Sequence, residues 1–283
     1  MGSVPIAIIG CGYVGSALAE ALVGAGHDVV ATTTSTGRIG ELRSLGVRAE
    51  LLDIADTDRL AAVLADRQAV YLTIAPKDRG ADYRNVYLAA AQHLAAAVAQ
   101  TRVRRVIYTS STRVYGQNDG SWVDESSPTK PRDERGAILL DTENTLLELG
   151  TGRAGLLAGD GDPVAVSVVR LAGIYGPGRE LTERPLAMAG TRQSGGSAYV
   201  NLIHRDDIVS ALVALLDVRH HGVLNLSDDA PEPRRVFYDR MIAQAKLPAI
   251  DWIDDSSSRR TGKRVGNDRI KRLLDLKLAH PNH

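Results

Sequence analysis

The chain has 283 residues with no formal net charge at pH 7, and 44% of its residues are hydrophobic. This composition is typical of a globular protein and gives no reason to expect nucleic acid or an anionic membrane surface as a partner. No apolar run approaches the roughly 18 residues of a membrane span. The single cysteine, Cys11, excludes an intrachain disulfide and favours a reducing, cytoplasmic location.

The first predicted element is a short apolar strand over 6–9, which runs directly into the pattern Gly-x-Gly-x-x-Gly. A helical pattern over 12–25 and a strand over 28–33 follow, as a dinucleotide-binding unit requires. Gly10 permits the tight turn, Gly12 lets a pyrophosphate approach the backbone, and Gly15 lets the helix pack on the strand. We therefore predict a dinucleotide site at this helix N-terminus, where N–H groups favour an anion. Its predicted residues are Gly10, Cys11, Gly12, Tyr13, Val14 and Gly15.

The residues after the second strand bear on the choice of cofactor. An NAD site usually has an acid there, which hydrogen-bonds the ribose 2′-hydroxyl. Asp28 begins the strand, about 16 Å from its far end, and no acid follows before Glu41. Hydroxyls and an arginine suit a 2′-phosphate instead, since a guanidinium binds phosphate with two hydrogen bonds. We predict NADP rather than NAD, with a plain polar turn as the alternative. The residues predicted to contribute are Thr33, Thr34, Ser35 and Arg38.

Short apolar strands continue to alternate with helices as far as residue 172. Further strands are predicted at 49–52, 69–73, 105–110 and 165–171, and helices at 39–45, 57–65, 82–100 and 138–149. This alternation predicts an α/β fold with a Rossmann-type doubly wound parallel sheet. The polar, glycine-rich stretch 150–162 is interpreted as a surface connection.

The strict alternation fades after Gly176-Pro177-Gly178. Helices are predicted at 208–216 and 236–245, with a strand at 223–226 between them. We interpret this part as a smaller C-terminal substrate-binding cap, since open α/β sheets bind ligands at the carboxyl ends of their strands. The expected division is an NADP-binding domain, residues 1–172, and a mixed α/β substrate-binding region, residues 173–283, with some segments interleaved.

Five segments beyond the glycine pattern have a recognisable signature. They are Leu52-Asp53-Ile54, Tyr71–Ala75, Ser110–Gly116 (close to SS-x-x-VYG), Arg170–Arg179 (close to R-x-x-x-x-YGPG) and Ile203–Val209 (close to V-H-V-D-D-V). Together they resemble the extended short-chain dehydrogenase/reductase superfamily, in its NAD-dependent epimerase/dehydratase-like group, over nearly the whole chain. The resemblance implies a homodimer that uses 82–100 and 138–149. It also implies cofactor contacts from Asp53, Ile54, Thr73, Ile74, Ala75, Thr109 and Leu171.

Enzymes of this superfamily use a Tyr and a Lys four residues apart, in which the Tyr transfers a proton and the Lys lowers its pKa. Alignment on the neighbouring prolines, Gly136 and Glu143 places the Tyr position at Arg135 and the Lys position at Leu139. The chain contains no Tyr-x-x-x-Lys at all. Arginine stays charged at any working pH, so Arg135 cannot be the acid, although a fixed cation can stabilise an oxyanion.

The remaining catalytic candidates carry hydroxyl groups. Ser111, with Thr112 beside it, matches the Ser/Thr on the fifth strand and is predicted to polarise a substrate carbonyl. The proton is then expected from water or from a side chain such as Tyr175, in the segment that the resemblance places near the nicotinamide. Packing under the YGPG turn is the alternative role of Tyr175. His204 is interpreted as a structural residue beside two aspartates rather than a catalytic one.

Three hypotheses about function remain open. The first is an NADP-dependent reductase of a carbonyl-like small molecule with a non-standard site. The second is a sugar epimerase or dehydratase, which needs a strong proton acceptor; Val200 also stands near the position where an arginine grips the pyrophosphate of a nucleotide sugar. The third is a non-catalytic NADP-binding sensor or regulatory protein. No metal site is predicted.

Overall fold

The structure, a computed structural model, describes residues 2–76, 78, 80–151, 163–253 and 261–282. In these ranges the α-helices are α1 (Tyr13–Gly24), α2 (Ile39–Ser44), α3 (Thr57–Leu64), α4 (Ala90–Val98), α5 (Glu134–Leu147), α6 (Glu183–Leu186), α7 (Arg205–Leu215), α8 (Arg234–Gln244) and α9 (Asp268–Leu274). The strands are β1 (Pro5–Ile9), β2 (Asp28–Thr33), β3 (Arg48–Leu51), β4 (Ala69–Leu72), β5 (Arg105–Ser111), β6 (Asp119–Val123), β7 (Ala165–Leu171), β8 (Gly173–Tyr175), β9 (Arg192–Gln193), β10 (Tyr199–Val200), β11 (Leu202–His204), β12 (Gly222–Leu226), β13 (Glu232–Pro233), β14 (Asp251–Trp252) and β15 (Gly262–Val265).

The chain forms two compact units, each made of separate stretches of sequence. Unit 1 comprises Met1–Val114, Pro131–Arg170 and Val209–Leu224. Unit 2 comprises Tyr115–Lys130, Leu171–Ile208 and Asn225–His283. The 115–130 stretch, which precedes residue 172, thus belongs to unit 2, and the 209–224 stretch belongs to unit 1.

A seven-stranded sheet in the order β12-β7-β5-β4-β1-β2-β3 is the centre of unit 1. The pairs from β3 across to β5 are parallel, which confirms the predicted Rossmann-type α/β class. The order reverses between β1 and β4, and ligands of open α/β sheets bind outside the carboxyl ends of the strands at such a point. The residues that follow β1 and β4 are thus the first place to look for a site.

The sheet of unit 1 is buried on both faces, as its near-continuous apolar strands predict. Every residue of β4 and of β7 is buried. Side chains from both strands pack in one apolar cluster with residues of α3, α4 and α5. The one polar tip within β4, the Tyr71 hydroxyl, donates a hydrogen bond to the Leu212 carbonyl at 2.9 Å.

Two helices of unit 1 differ from their predicted form. The predicted helix over 82–100 begins as a π-helix at Arg84–Ala89 and continues as α4. The predicted helix over 138–149 begins a turn earlier, at Glu134, because the Asp133 side chain caps it by accepting the Gly136 N–H at 2.9 Å. Apolar periodicity does not report such polar first turns.

The described residues of unit 2 form four short strand pairs and several helices. The pairs are β8 with β11, β9 with β14 and β6 with β15, all parallel, and the antiparallel β10 with β13. Its apolar cluster includes Phe237, Tyr238, Ile242 and Ile250. The pair of β6 and β15 was not predicted.

Two further expectations concern parts of the chain with limited description. Apart from Gly150 and Thr151, the predicted connection 150–162 lies outside the described residues. Within the part of the chain that the structure describes, no helix has both the length and the apolar character needed to cross a membrane.

Candidate cofactor and active site

The three glycines of the turn after β1 have three different surroundings. Gly10 has φ +87°, and a Cβ there would lie 2.6 Å from Ile74 Cγ2 and 2.9 Å from Ile74 Cα. A Cβ on Gly15 would lie 2.7 Å from Thr73 Oγ1 and 3.0 Å from the Gly10 carbonyl oxygen. A Cβ on Gly12 would meet no atom within 4 Å. Two glycines therefore allow close packing, and the third leaves open space beside the backbone.

Threonines from the neighbouring strands hold this turn in place. Thr32 Oγ1 accepts the Gly10 N–H at 3.2 Å, and the Thr32 carbonyl accepts the Cys11 N–H at 2.8 Å. On the other side, Thr73 Oγ1 donates to the Gly10 carbonyl at 2.9 Å. Thr73 and Ile74, both predicted cofactor residues, thus contact the glycine turn, while Thr32 was not predicted. Its contribution depends on strand register, which spacing alone does not give.

The start of α1 fits a dinucleotide pyrophosphate. Gly12 is its N-cap, no side chain caps the helix, and its first turn contains no acid. Tyr13 is half-buried and Val14 is buried against the fold. The first N–H groups of a helix and its dipole attract an anion, and the open space at Gly12 lets one approach. Gly10–Gly15 would hold the phosphates, as the spacing predicts.

The segment after β2 places an arginine beside this turn. Arg38 donates from Nη1 to the Cys11 carbonyl at 2.5 Å and from Nη2 to Ser16 Oγ at 3.0 Å. The same guanidinium donates from Nε and Nη2 to the two oxygens of Glu41, at 3.2 and 2.9 Å. The hydrogen bonds with Glu41 raise the pKa of Arg38 and lower that of Glu41. This contact with Glu41 was not predicted.

The other predicted residues of this region have smaller visible roles. Thr34 is exposed and Ser35 is half-buried, with the Ser35 N–H donating to Thr33 Oγ1 at 3.2 Å. Cys11 is buried within the turn, and burial raises the pKa of its thiol to about 11.

Predicted cofactor residues also follow other strands. Asp53 is exposed and accepts the Ala55 N–H at 3.0 Å, while Ile54 packs against the apolar core. Thr109 Oγ1 donates to the Leu72 carbonyl at 3.3 Å, and Ala75 is exposed after β4. Leu171 ends β7 and belongs to unit 2.

The predicted carbonyl-binding hydroxyls lie at the end of β5. Ser111 is the last residue of that strand and is half-buried; its Oγ accepts the Arg113 N–H at 3.2 Å. Thr112 begins a short 3₁₀ turn, Thr112–Val114. The Ser111 hydroxyl hydrogen can therefore point away from the backbone N–H that its oxygen accepts.

The positions aligned with the Tyr and Lys have separate environments. Arg135 is exposed in the first turn of α5, and its Cζ lies 4.8 Å from the centroid of the Tyr83 ring. Leu139, one turn later, is 3% exposed and belongs to the buried face of α5. No cation of α5 thus occupies the Lys position, but a phenol from the start of the 82–100 helix lies beside the Tyr position.

An ion pair fixes the start of α5. Asp133 binds the Arg113 guanidinium through both carboxylate oxygens, at 3.1 and 2.5 Å, as well as capping the helix. The hydrogen bond from Arg113 is the main cause that lowers the pKa of Asp133. The backbone is close here too, since a Cβ on Gly136 would lie 3.1 Å from the Arg113 carbonyl oxygen. These contacts fix the residues that follow Ser111 against the start of α5.

A buried polar network includes Ser110, the residue before Ser111 in β5. Glu143 of α5 accepts from Ser110 Oγ at 2.5 Å and binds Arg170 of β7 through both its oxygens. Glu143 and Arg170 are both almost fully buried. The network ties α5 to β5 and β7 and was not predicted, because its three members are far apart in the sequence.

The remaining catalytic candidate, Tyr175, belongs to unit 2. Burial raises its pKa to about 12, with further contributions from Asp228 and Asp207. The ring contacts His204 edge-on, with 5.0 Å between centroids, and His204 stacks on His280 at 3.7 Å. A raised pKa makes Tyr175 a weak proton donor.

Asp207 connects this aromatic cluster with the C-terminal segment. Its two oxygens accept the N–H groups of Ala279 and His280, at 2.6 and 3.0 Å. Burial, and then His280, lower the pKa of His204. These contacts support the structural role that was expected for His204.

Unit 2 also contains a groove of about 350 Å³. Apolar and aromatic side chains, among them Ile174, Phe237 and Tyr238, form part of its lining, together with Arg179 and Arg184. This volume is in the range of small-molecule sites. Among the described residues, no group of three or more metal-ligating side chains comes together.

Comparisons with known proteins agree with this geometry. The model of a family described as "NAD dependent epimerase/dehydratase family" matches residues 6–227. Protein YeeZ of Escherichia coli K12 is 31% identical over 98% of this chain and 96% of its own length. A 3-diazoavenalumate denitrifying reductase from a Streptomyces species is 26% identical over 96% of this chain and 94% of its own length.

Solved structures share the fold. A functionally unknown protein from Silicibacter pomeroyi has a TM-score of 0.74 and 28% identity, covering 99% of this chain and 95% of its own. MoeE5 in complex with UDP-glucose and NAD has a TM-score of 0.78 and 22% identity, covering 98% of this chain and 93% of its own.

Proposed function

Because this chain belongs to the NAD-dependent epimerase/dehydratase family, we propose that it is a reductase that uses NADPH to reduce a small carbonyl-like molecule. Membership of the family supports a nicotinamide cofactor. The observation that carries the choice of NADP is the position of Arg38, which contacts both the glycine turn and the first turn of α1. A guanidinium there suits a 2′-phosphate.

The proposed reaction adds a hydride to the carbonyl carbon and a proton to its oxygen. Bound NADPH supplies the hydride. Ser111 donates a hydrogen bond to the substrate oxygen, which stabilises the negative charge that develops there. The proton comes from Tyr83, whose ring lies beside the Arg135 guanidinium. Arg135 stays charged at any working pH and lies over the ring of this phenol, 4.8 Å from its centroid.

One observation favours a reductase over an epimerase. The position aligned with the Lys is the buried Leu139, so the usual device for cycling a proton to and from a substrate alcohol is missing from α5. A one-way reduction needs only that a proton be delivered, which is a smaller demand. The names of relatives do not decide between the two, since a reductase and a UDP-glucose 4-epimerase are both 26% identical to this chain. The groove in unit 2 has a volume that suits a small molecule.

The first experiment measures binding and turnover separately. We expect nicotinamide fluorescence to show tighter binding of NADPH than of NADH. A panel of ketones, imines, enones and sugars is then scanned for loss of the NADPH absorbance. NADH binding as tight as NADPH would contradict the cofactor assignment. Any substrate found this way becomes the probe for the residues below.

Side-chain variants then test the assigned roles. We expect Ser111→Ala to lower kcat about 100-fold, with the exposed Ser126→Ala as the control. Tyr83→Phe should lower kcat by a similar factor, because general acids contribute on the order of 100-fold or more. Tyr87→Phe is its control, since burial raises the pKa of Tyr87 to about 12 and its ring lies next to Tyr83. Full activity in Tyr83→Phe would show that water or another group supplies the proton.

A non-catalytic NADP-binding protein is the second candidate. The burial of Leu139 favours it, because α5 then lacks the cation that activates a phenol in the superfamily. This candidate predicts tight NADPH binding with no loss of absorbance across the whole panel. Turnover of any substrate that depends on Ser111 would exclude it.

A further inference from the structure

Arg38 is engaged on two sides at once. Its Nη1 and Nη2 donate to the glycine turn and α1, while its Nε and Nη2 donate to the two oxygens of Glu41. All three nitrogens of the guanidinium therefore have an acceptor. The Nε–Nη2 edge, which is one of the geometries that bind phosphate through two parallel hydrogen bonds, is occupied by a carboxylate of the chain itself.

The position of Glu41 allows its carboxylate to move away from Arg38. Its side chain is 58% exposed, compared with 32% for Arg38, and it stands in the first turn of the short helix α2. An ion pair between exposed side chains is weak, whereas hydrogen bonds from arginine to phosphate are among the stronger kind. A phosphate that arrives at Arg38 can thus displace the carboxylate.

A carboxylate that stayed in place would oppose that phosphate. Both groups are negative, and like charges a few ångströms apart near a protein surface repel strongly. A ribose hydroxyl carries no charge, so a cofactor without the 2′-phosphate has no such conflict with Glu41. The pair therefore acts on only one of the two cofactors.

We propose that Glu41 is a specificity-determining residue, which competes with the 2′-phosphate of NADP for the guanidinium of Arg38. This inference rests on the proposed use of NADP. Glu41 lowers the affinity for NADP(H) and leaves that for NAD(H) unchanged, so the protein discriminates between the two less than Arg38 alone would allow. Without a 2′-phosphate, the same pair keeps Arg38 in its position beside the glycine turn.

The test is a set of binding titrations that need no substrate. Wild type, Glu41→Gln and the control Glu50→Gln are titrated by calorimetry with NADPH and NADH. Adenosine 2′,5′-bisphosphate and 5′-AMP provide a second pair of probes that differ only by the 2′-phosphate. Glu50 suits the control because it is also a partly exposed carboxylate near arginines, 3.6 Å from Arg48 and 4.0 Å from Arg59. Thermal unfolding of each variant verifies that it is folded.

We expect Glu41→Gln to bind NADPH and the bisphosphate about tenfold more tightly, because a neutral amide competes less well than a carboxylate for the Arg38 guanidinium. Binding of NADH and 5′-AMP should change less than twofold, and Glu50→Gln should match wild type throughout. In an Arg38→Ala background, Glu41→Gln should give no gain in affinity, because the guanidinium for which Glu41 and the phosphate compete is absent. The dependence on Arg38 separates competition from a general effect of charge.

Three results would overturn the inference. One is unchanged NADPH affinity in Glu41→Gln, and another is weaker affinity, which would mean that Glu41 prepares Arg38 for the phosphate. The third is a gain that persists without Arg38. Failure of the proposed function has a different appearance: wild type would bind NADH as tightly as NADPH, and Arg38→Ala would change neither affinity.

Discussion

Two helices of unit 1 begin in different ways. The N-terminus of one is free to bind an anion, whereas the N-terminus of the other is already capped by an aspartate of the chain. The helix α1 starts at Gly12, with no side-chain cap and no acid in its first turn. The helix α5 starts after Asp133, which caps it and pairs with Arg113, and Glu134 follows. Every helix N-terminus attracts negative charge. The start of α1 therefore suits a cofactor phosphate, whereas the start of α5 already has the carboxylate of Asp133.

The comparison has a consequence for function. At α1, Gly10 and Gly15 pack closely against neighbouring atoms, and Gly12 has open space beside it. At α5, the positions aligned with the family's Tyr and Lys carry an exposed arginine and a buried leucine. Holding a cofactor and transferring a proton are therefore supported to different degrees by the two helices. Substitutions at each start can break or sharpen this contrast.

The largest effect is expected for Gly10→Ala. The methyl group would overlap Ile74 at 2.6–3.0 Å, and alanine is strained at φ +87°. Together these effects should lower the free energy of unfolding by about 3 kcal/mol and remove NADPH binding. Gly24→Ala, in α1 with open space around it, is the control and should not lower the free energy of unfolding, because alanine favours a helix more than glycine does. Urea unfolding measures both, and an unaffected Gly10→Ala would mean that the turn is not tightly packed.

A somewhat smaller effect is expected for Leu139→Lys, which restores the family's lysine. Leu139 is 3% exposed, and an ammonium group buried without a partner is unfavourable. We expect a loss of about 2–3 kcal/mol in the free energy of unfolding and no gain of activity. Ala137→Lys, on the exposed side of α5, should be harmless. A stable Leu139→Lys would mean that α5 can still accommodate the dyad.

Gly12→Ala should act on binding rather than on folding. Its Cβ would meet no protein atom within 4 Å, so the free energy of unfolding should change by less than about 1 kcal/mol. The methyl group would occupy the space assigned to the pyrophosphate, and we expect NADPH affinity to fall at least tenfold. Paired unfolding and titration data test this; equal affinity would move the phosphate site away from α1.

The smallest effect is expected at Asp133. Asp133→Ala should lose about 1 kcal/mol, because it removes the helix cap, while Asp133→Asn can keep the cap but loses the charge and one hydrogen bond from Arg113. The pKa of Asp133 is lowered in the folded state, so its charge stabilises the fold above the unfolded pKa of about 3.9. That contribution is lost as the pH falls through the folded value. Unfolding between pH 7 and pH 2 should show wild type and Asp133→Asn converging at the acid end.

Much of the fold could be predicted because unit 1 repeats one clear pattern. The strands β2 and β7 have the predicted bounds, since both are short runs rich in β-branched residues. The pair of β6 and β15 joins distant parts of the chain, and Asp119-Gly120-Ser121 shows no apolar alternation. The π-helix at Arg84–Ala89 leaves no mark in the sequence either.

The candidate site could be predicted only in part, for a similar reason. Glycine roles follow from spacing, because each depends on the local backbone. The contacts of Thr32 with Gly10 and of Glu143 with Arg170 depend on how strands and helices are paired. The pair of Arg38 and Glu41 was accessible, since residues three apart meet on a helical turn. That Arg38 also reaches Cys11 was not.

The buried thiol in the glycine turn is a natural probe of how often that turn opens. Cys11 is the single cysteine of the chain, and with a pKa of about 11 it is almost entirely protonated at neutral pH and therefore unreactive towards alkylating reagents. Labelling at neutral pH would proceed only when the turn opens, so its rate counts those openings. Mass spectrometry of the alkylated protein would then measure how often the glycine turn opens. The same measurement on variants of the turn would show how each substitution changes that rate, without any introduced tag.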